Sequence, residues 1–207
     1  MCLYTMQKEP KIAEKDITCY KIIRKNMTSL IYGGEITWDF GKVYKTTMKS
    51  TEVETRISEK IRIVKQGFHS YKSHEDVKEG YSQVVGIPCI IVECTIPKGA
   101  LYYDGYHYKE DGFTSNQLIV NKVINVEELF PDFPWNEYPY KSGQTIRVNC
   151  WNGRGDILRI ENIQPNSVLG EYTGAGLICE WGYIYQTDMT GKNPYDKYII
   201  ELVEQSN

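Results

Sequence analysis

The stretch IPCIIVECTI, residues 87–96, is the strongest candidate for a core strand in this 207-residue chain. A short, continuous apolar run is typical of a strand buried on both faces, and Pro97 and Gly99 are residues that end such a run. Residues 117–126, QLIVNKVINV, form a second run of the same kind. Together the two runs predict a sheet at the centre of the first part of the chain.

Weaker signals add further elements around these runs. Strands are predicted over residues 17–23, 43–47 and 61–65. Ser73 is expected to cap a short helix that Gly80 ends, and residues 127–130 are expected to form one helical turn. Residues 1–16 are polar and Lys-rich, so they are interpreted as a leader to the first strand. Residues 49–60 show no clear period and predict no regular element.

Beyond residue 140 the pattern changes to short strands separated by Gly, Asn and Pro clusters. The predicted strands are residues 145–150, 156–163, 168–173, 177–186 and 198–203. The fold class predicted for the chain is therefore α+β, dominated by β structure. A mixed N-terminal domain, residues 1–130, is followed by a C-terminal domain, residues 131–207, built as an antiparallel β meander or small barrel.

Composition and charge narrow the range of functions. Hydrophobic residues make up 41% of the chain, aromatic residues 13%, and there are 17 tyrosines, which favours sheet. The net charge of −3 is spread along the chain and offers no basic field for a phosphate backbone, so no nucleic-acid partner is expected. No stretch approaches the roughly 20 apolar residues of a membrane span. The first ten residues lack a signal-peptide pattern, which predicts a cytoplasmic protein.

Cysteines and histidines give no sign of a metal site. Without a secretory signal, the six cysteines are expected to be reduced thiols; they are Cys2, Cys19, Cys89, Cys94, Cys150 and Cys179. On one strand, Cys89 and Cys94 would face opposite sides of the sheet and would not share a zinc ion. The three histidines, His69, His74 and His107, have no familiar metal-ligand spacing. No metal and no cofactor are predicted.

Residues 130–140, FPDFPWNEYPY, combine three prolines with five aromatic residues. The prolines forbid regular sheet, and the rings make a flexible linker an unsuitable interpretation. The segment is predicted to be an ordered contact surface for a protein partner or a second copy of the chain, through Phe133, Trp135, Tyr138 and Tyr140. The alternative is that the rings pack inside the protein and cement it.

Four short motifs of the first half occur in a distinctive order. They are residues 19–21, CYK; 67–70, GFHS; 96–100, IPKGA; and 113–117, FTSNQ, which leads into LIV. The ordered set resembles a family of small proteins of gut Bacteroides-type bacteria and their phages, and the resemblance covers roughly the first 125 residues. The resemblance indicates the source of the protein more than its activity. It also gives a second expected location, a phage particle, besides the host cytoplasm.

The same order resembles the ADP-ribosyltransferase fold, in which a basic residue on the first strand, a Ser-Thr-Ser strand and a late glutamate surround NAD. The resemblance implies that Lys21 stands at the basic position and that Ser115, with Thr114, stands near the Ser-Thr-Ser strand. His69 joins them as a candidate catalytic residue, and Gln117 stands where the family has its catalytic glutamate. Without that carboxylate, an oxocarbenium-like ribose loses its stabilising anion.

These observations lead to a ranked expectation for function. A non-enzymatic binding or structural module comes first, because no complete catalytic group is assembled in the sequence. An auxiliary structural protein of a phage particle is one concrete form of it. The alternatives are an NAD-handling enzyme related to the ADP-ribosyltransferases and a small-molecule sensor that uses the same cleft without chemistry.

Overall fold

The computed structural model describes residues 2–30, 36–54, 60–82, 89–150, 155–168, 171–179, 184–194 and 198–203. The chain divides into two compact units: Met1–Val84 with Cys89–Asn125 form the first, and the second lies in Val126–Asn207. The division falls a few residues before the predicted boundary at residues 130/131. The described residues form sixteen strands and two helices. The prediction of a β-dominated α+β fold is therefore confirmed.

The first unit is built on one antiparallel sheet of eleven strands. Its elements are β1 (Leu3–Thr5), β2 (Lys11–Ile12), β3 (Ile17–Arg24), β4 (Val43–Lys45), β5 (Lys49–Glu54), β6 (Lys60–Gln66), β7 (Phe68–Tyr71), α1 (His74–Ser82), β8 (Cys89–Ile96), β9 (Leu101–His107), β10 (Glu110–Ser115) and β11 (Gln117–Ile124). The strand order is β4-β11-β8-β3-β7-β10-β9-β1-β6-β5, and β2 pairs with β9.

The predicted core strand lies inside this sheet. β8 pairs with β3 along its whole length, from Ile17 opposite Ile96 to Arg24 opposite Cys89, and pairs with β11 on its other side. Five of its eight residues are buried and the other three, Ile90, Glu93 and Thr95, are partly buried, which explains why β8 is mostly apolar. The first two residues of the predicted strand, 87 and 88, lie outside the described residues.

The chain passes directly from β6 to β7 through a single residue, Gly67. β6 pairs with β1 and β5, whereas β7 pairs with β3 and β10, so the strands β10, β9 and β1 lie between them in the sheet order. One nearly continuous stretch of backbone therefore connects the edge of the sheet to its middle. Gly67 has a φ of 141°, a backbone conformation that residues other than glycine rarely adopt.

The helix α1 starts where the sequence predicts but ends later. Ser73 is confirmed as its cap: the Asp76 backbone N–H donates to Ser73 Oγ, and the Ser73 N–H donates to Asp76 Oδ2, both at 3.1 Å. The prediction that Gly80 ends the helix is wrong, because α1 continues to Ser82. Gly80 serves close packing instead, since a Cβ there would lie 2.4 Å from the Tyr71 hydroxyl oxygen.

Two stretches without a sequence signal are strands. The predicted leader contains the strands β1 and β2. In β1, Leu3 is fully buried in a small cluster with Val64 and Tyr103. Residues 49–54, for which no element was expected, form the edge strand β5, paired with β6. An edge strand with both faces largely in solvent has no need of alternating hydrophobicity, which explains the missing period.

The second unit contains a five-stranded antiparallel sheet. Its elements are α2 (Val126–Leu129), β12 (Thr145–Cys150), β13 (Gly155–Val168), β14 (Glu171–Cys179), β15 (Ile184–Asp188) and β16 (Tyr198–Leu202). The order is β15-β14-β13-β12-β16. The predicted strands 168–173 and 177–186 are wrong in their bounds, because β14 runs unbroken through Gly174 and Gly176. Pro165 is tolerated in β13 because β12 pairs only with the other half of that strand.

Two further properties of the described residues bear on the expectations from sequence. No helix among them is both long and apolar enough to cross a membrane. Five of the cysteines are free thiols in the structure: Cys2, Cys19, Cys89, Cys94 and Cys179.

Candidate functional site

The first unit contains a cleft of about 640 Å³. Its walls come from the central strands β3 and β7, from the edge strand β5 and its neighbour β6, and from the connections on either side of β4. Gly67 itself lines the cleft, at the point where the chain passes from β6 to β7. The cleft therefore forms beside the connection between β6 and β7. All of its described lining residues belong to the first unit.

Three lysines are the charged residues among the described lining of the cleft. Lys21 lies on β3, Lys49 on β5 and Lys65 on β6. Within the part of the chain that the structure describes, no aspartate or glutamate lines this space. The whole chain has a net charge of −3. The cleft is nevertheless locally positive, and a concave surface lined by one sign of charge concentrates ions of the opposite sign.

Aromatic side chains form the floor of the cleft. Trp38 is 2% exposed, and its ring packs edge-on against Tyr44 and Phe68 at centroid distances of 4.8 and 5.5 Å. The Trp38 backbone N–H donates to the Met27 carbonyl at 2.8 Å, which anchors the residue in the connection after β3. Trp38 Nε1 has no hydrogen-bond partner among the described residues.

The Lys21 ammonium lies against this floor. Its Nζ donates to the His69 carbonyl at 2.6 Å and lies 5.8 Å from the centroid of the Trp38 ring. Burial lowers the pKa of Lys21, because the ammonium loses its water. The ion pairs of the described residues include none with Lys21. The cleft thus holds a desolvated cation that no carboxylate of the described chain neutralises.

His69 lines the cleft beside Lys21 and is 8% exposed. Its Nδ1 lies 3.0 Å from Thr114 Oγ1, and its Nε2 has no partner among the residues described. Burial, and then the nearby charges of His107 and Lys21, lower the pKa of His69 to about 2. The His69 ring is therefore neutral at physiological pH.

A second buried histidine lies behind His69. The His107 ring centroid is 5.4 Å from that of His69, and its Nδ1 and Nε2 lie 3.1 and 3.3 Å from the carbonyls of Cys2 and Ser70. Burial lowers the pKa of His107, and this effect outweighs the two carbonyl contacts, which favour the charged ring. Burial thus lowers the pKa of both members of this buried histidine pair, His69 and His107.

The structure brings together some of the residues that the sequence singled out and separates others. Lys21 and His69 line the same cleft. Ser115 is buried, and its Oγ donates to the Gln117 carbonyl at 2.8 Å. Neither Ser115 nor Gln117 is among the lining residues. Thr114, next to Ser115, reaches the site through its contact with His69.

Several residues of the cleft were not identified from the sequence. Trp38 lies in a connection between strands, Lys49 lies on the edge strand β5, and Lys65 is an exposed residue of the neighbouring strand β6; exposed strand lysines are normally solvated. For Lys49, the absence of an acidic residue at its partner position is a signal only when the strand register is known. In that register, Lys49 lies opposite Gln66.

In the second unit, the segment of residues 130–140 is folded against itself. Trp135 is partly exposed, whereas the other four aromatic rings are buried: Phe130, Phe133, Tyr138 and Tyr140. The Phe133 ring contacts those of Trp135 and Tyr138 at centroid distances of 4.6 and 5.2 Å. The partner-binding role of Phe133, Trp135, Tyr138 and Tyr140 stays a prediction, and their burial gives more support to the packing alternative.

Hydrogen bonds attach this segment to the end of β15. The Tyr138 hydroxyl bonds to Thr187 Oγ1, which also donates to the Ala175 carbonyl at 3.1 Å. The Tyr140 hydroxyl donates to the Gly191 carbonyl at 3.0 Å. Burial raises the pKa of Tyr138 to about 12, so its hydroxyl remains protonated and available to this bond.

Tyr138→Phe is expected to lower the free energy of unfolding by about 1–2 kcal/mol, because it removes one partner of a buried hydrogen bond. The matched control is Tyr198→Phe, which removes a hydroxyl that donates to the Gln186 carbonyl at 3.0 Å from a partly exposed residue of the same unit. Water replaces that bond, so a loss below about 0.5 kcal/mol is expected. Urea unfolding measures both values. Equal losses would contradict the prediction.

No family model, no curated protein and no solved structure matches this chain. Among the described residues, no group of three or more His, Cys, Asp or Glu side chains is arranged to hold a metal ion. The functional argument therefore depends on the geometry of the cleft.

Proposed function

We propose that this protein is a non-enzymatic binding module, and that the cleft of its first unit holds a small anionic molecule. The observation that carries the proposal is the presence of three lysines, and of no carboxylate among the described lining residues, in one space of about 640 Å³. Unneutralised lysines that line a concave, partly apolar surface favour an anion over a cation or a neutral molecule.

The dimensions of the cleft support this proposal. Small-molecule sites have volumes of roughly 300–1,000 Å³ and combine an apolar lining with a few polar groups that fix orientation. Here Trp38 and Phe68 supply aromatic surface, while Lys21 and His69 supply the polar groups. The site thus has room for a ligand of ordinary metabolite size.

Binding without chemistry is favoured by the state of the titratable groups. A general base works best with a pKa near the operating pH, whereas the pKa of His69 is lowered to about 2. Without a carboxylate in the described lining, no residue there is suited to stabilise a developing positive charge. The NAD-handling alternative is favoured by the shared position of Lys21 and His69, but it lacks the group that its chemistry needs.

The fluorescent dye 8-anilinonaphthalene-1-sulfonate, a small aromatic anion, provides the test. We expect the folded protein to bind it saturably, with one dye per chain. Reversing the charge of two cleft lysines, Lys49→Glu with Lys65→Glu, is expected to weaken dye binding at least about tenfold, because attraction becomes repulsion at the mouth of the cleft. Fluorescence titration gives the dissociation constants.

The matched control reverses two lysines of the same unit that do not line the cleft, Lys11→Glu with Lys15→Glu. It changes the net charge equally and is expected to leave dye affinity within about twofold. Equal weakening by both double variants would show that only overall charge matters and would contradict the cleft site. Release of nicotinamide from NAD above background would contradict the non-enzymatic part of the proposal.

A further inference from the structure

Two buried polar atoms without a hydrogen-bond partner among the described residues belong to the lining of this one cleft. They are Trp38 Nε1 and His69 Nε2. Buried polar groups in folded proteins are nearly always paired, and leaving one unpaired destabilises the fold. Lys21 contacts both residues, since its Nζ donates to the His69 carbonyl at 2.6 Å and lies 5.8 Å from the centroid of the Trp38 ring. Lys21, Trp38 and His69 are therefore neighbours in the lining of the cleft.

The hydrogen-bonding character of these three groups is that of a donor. An indole N–H only donates, and an ammonium has three N–H groups, of which the His69 carbonyl takes one from Lys21. When the Thr114 hydroxyl donates to His69 Nδ1, the neutral ring carries its proton on Nε2 and donates there as well. A group that only accepts hydrogen bonds and carries negative charge complements all three.

We infer that the ligand is an amphipathic oxyanion, an apolar body with one carboxylate, sulfonate or phosphate group, and that the oxyanion binds Lys21, Trp38 and His69 in the cleft. This inference rests on the proposed function, which it makes specific in chemical class and in orientation. An oxyanion there pairs the desolvated Lys21 cation, which no carboxylate of the described chain neutralises.

The remaining surface of the cleft explains why the ligand carries an apolar body. Leu30, Ile36 and Phe68 line the same cleft. Covering this apolar surface with a ligand removes it from water, which favours binding. A purely hydrophilic anion would leave this contribution unused, whereas an aliphatic or aromatic body gains it.

Lys49 and Lys65 have a different role in binding from that of Lys21. Lys49 and Lys65 are exposed, so their ion pairs with a ligand compete with water and are screened by salt. They attract an anion toward the mouth of the cleft. Lys21 lies deeper and is desolvated, so its pairing with an oxyanion is the more selective contact.

A matched pair of probes tests this orientation: 2-naphthoate, an aromatic carboxylate, and 2-naphthamide, its uncharged isostere. Displacement of the anilinonaphthalene sulfonate dye and titration calorimetry give their affinities. The wild-type protein is expected to bind 2-naphthoate at least about tenfold more tightly than 2-naphthamide, because charge-assisted hydrogen bonds are the stronger ones.

Three variants locate the oxyanion. Lys21→Met keeps the length of the side chain and removes its charge, so the preference for 2-naphthoate is expected to fall to within about threefold. Trp38→Phe keeps an aromatic ring and removes the Nε1 donor, so 2-naphthoate is expected to bind about fivefold more weakly while 2-naphthamide changes little. Lys49→Met with Lys65→Met is expected to keep the preference and to reduce the salt dependence of 2-naphthoate binding.

Results that contradict the orientation, the ligand class and the proposed function can be told apart. A preference that survives Lys21→Met and Trp38→Phe but disappears in the Lys49 and Lys65 double variant would place the oxyanion at the mouth and overturn the inference. Equal wild-type affinity for the two probes, or displacement of the dye by neither, would overturn the ligand class while leaving the binding module intact. No dye binding at all would refute the proposed function itself. If Lys21→Met fails to fold, Trp38→Phe decides between the two orientations.

Discussion

Gly67→Ala is expected to lower the free energy of unfolding of the first unit by about 3 kcal/mol. Two costs add at this residue. Its φ of 141° is a conformation that alanine rarely adopts, and a Cβ would lie 2.4 Å from Thr114 Cγ2 and 3.2 Å from the Ser115 carbonyl oxygen. Thr114 has little freedom to move away, because it is fully buried and its hydroxyl contacts His69.

The matched control for this change is Gly99→Ala. Gly99 also has a positive φ, of 85°, but no atom lies within 4 Å of the position that its Cβ would take. Only the conformational cost applies there, and a loss of about 1 kcal/mol is expected. Urea unfolding followed by tryptophan fluorescence compares the two variants. If Gly67→Ala is no more destabilising than Gly99→Ala, the close contact with Thr114 does not restrain the turn between β6 and β7.

Acidification is expected to destabilise the protein well above the range in which carboxylates titrate. The pKa of His69 falls from an ordinary value of 6.5 to about 2 in the folded chain, and burial lowers that of His107 as well. Below pH 6.5 the unfolded chain therefore binds protons that the folded chain does not. The stability from neutral burial is fully present above pH 6.5 and falls by about 1.4 kcal/mol per pH unit for His69 alone.

Between pH 6.5 and about pH 4.5 this amounts to a loss of about 3 kcal/mol from His69, to which His107 adds in the same direction. Unfolding free energies from urea titrations at a series of pH values measure the slope. His69→Gln is expected to remove most of its own share of the slope. A stability that stays flat down to about pH 4.5 would mean that the two buried rings accept protons without unfolding.

The centre of the sheet was predictable because its sequence pattern reflects local geometry. β8 and β11 each pair with a strand on both sides; β8 has no exposed residue, and β11 is apolar except at Gln117, Asn121 and Lys122, so each gives a recognisable apolar run. β1 and β5 gave no such signal. Burial of Leu3 depends on Val64 and Tyr103, which are remote in sequence, and β5 is an edge strand whose polar residues face water. Local patterns do not report pairings of that kind.

The cleft was predictable only in part, for the same reason. Lys21 and His69 were singled out by their order along the chain, through a resemblance, and they do line one space. Trp38, Lys49 and Lys65 reach it from a connection, from the edge strand β5 and from its neighbour β6, and their sequence neighbourhoods are ordinary. The aromatic segment of residues 130–140 posed the opposite problem, because large rings suit an interface and an interior equally well.

The position of β1 in the sheet has a consequence for how the protein is made. β1 lies between β6 and β9, with Leu3 opposite Val64 and Tyr4 opposite Tyr106. During synthesis β1 leaves the ribosome long before either partner exists, so it must wait as an unpaired apolar strand while the intervening chain emerges. Contacts between such distant residues form slowly, and exposed strands awaiting them are prone to aggregate. Folding of the first unit is therefore expected to finish only after β9 has been released, because β1 cannot dock between β6 and β9 before then.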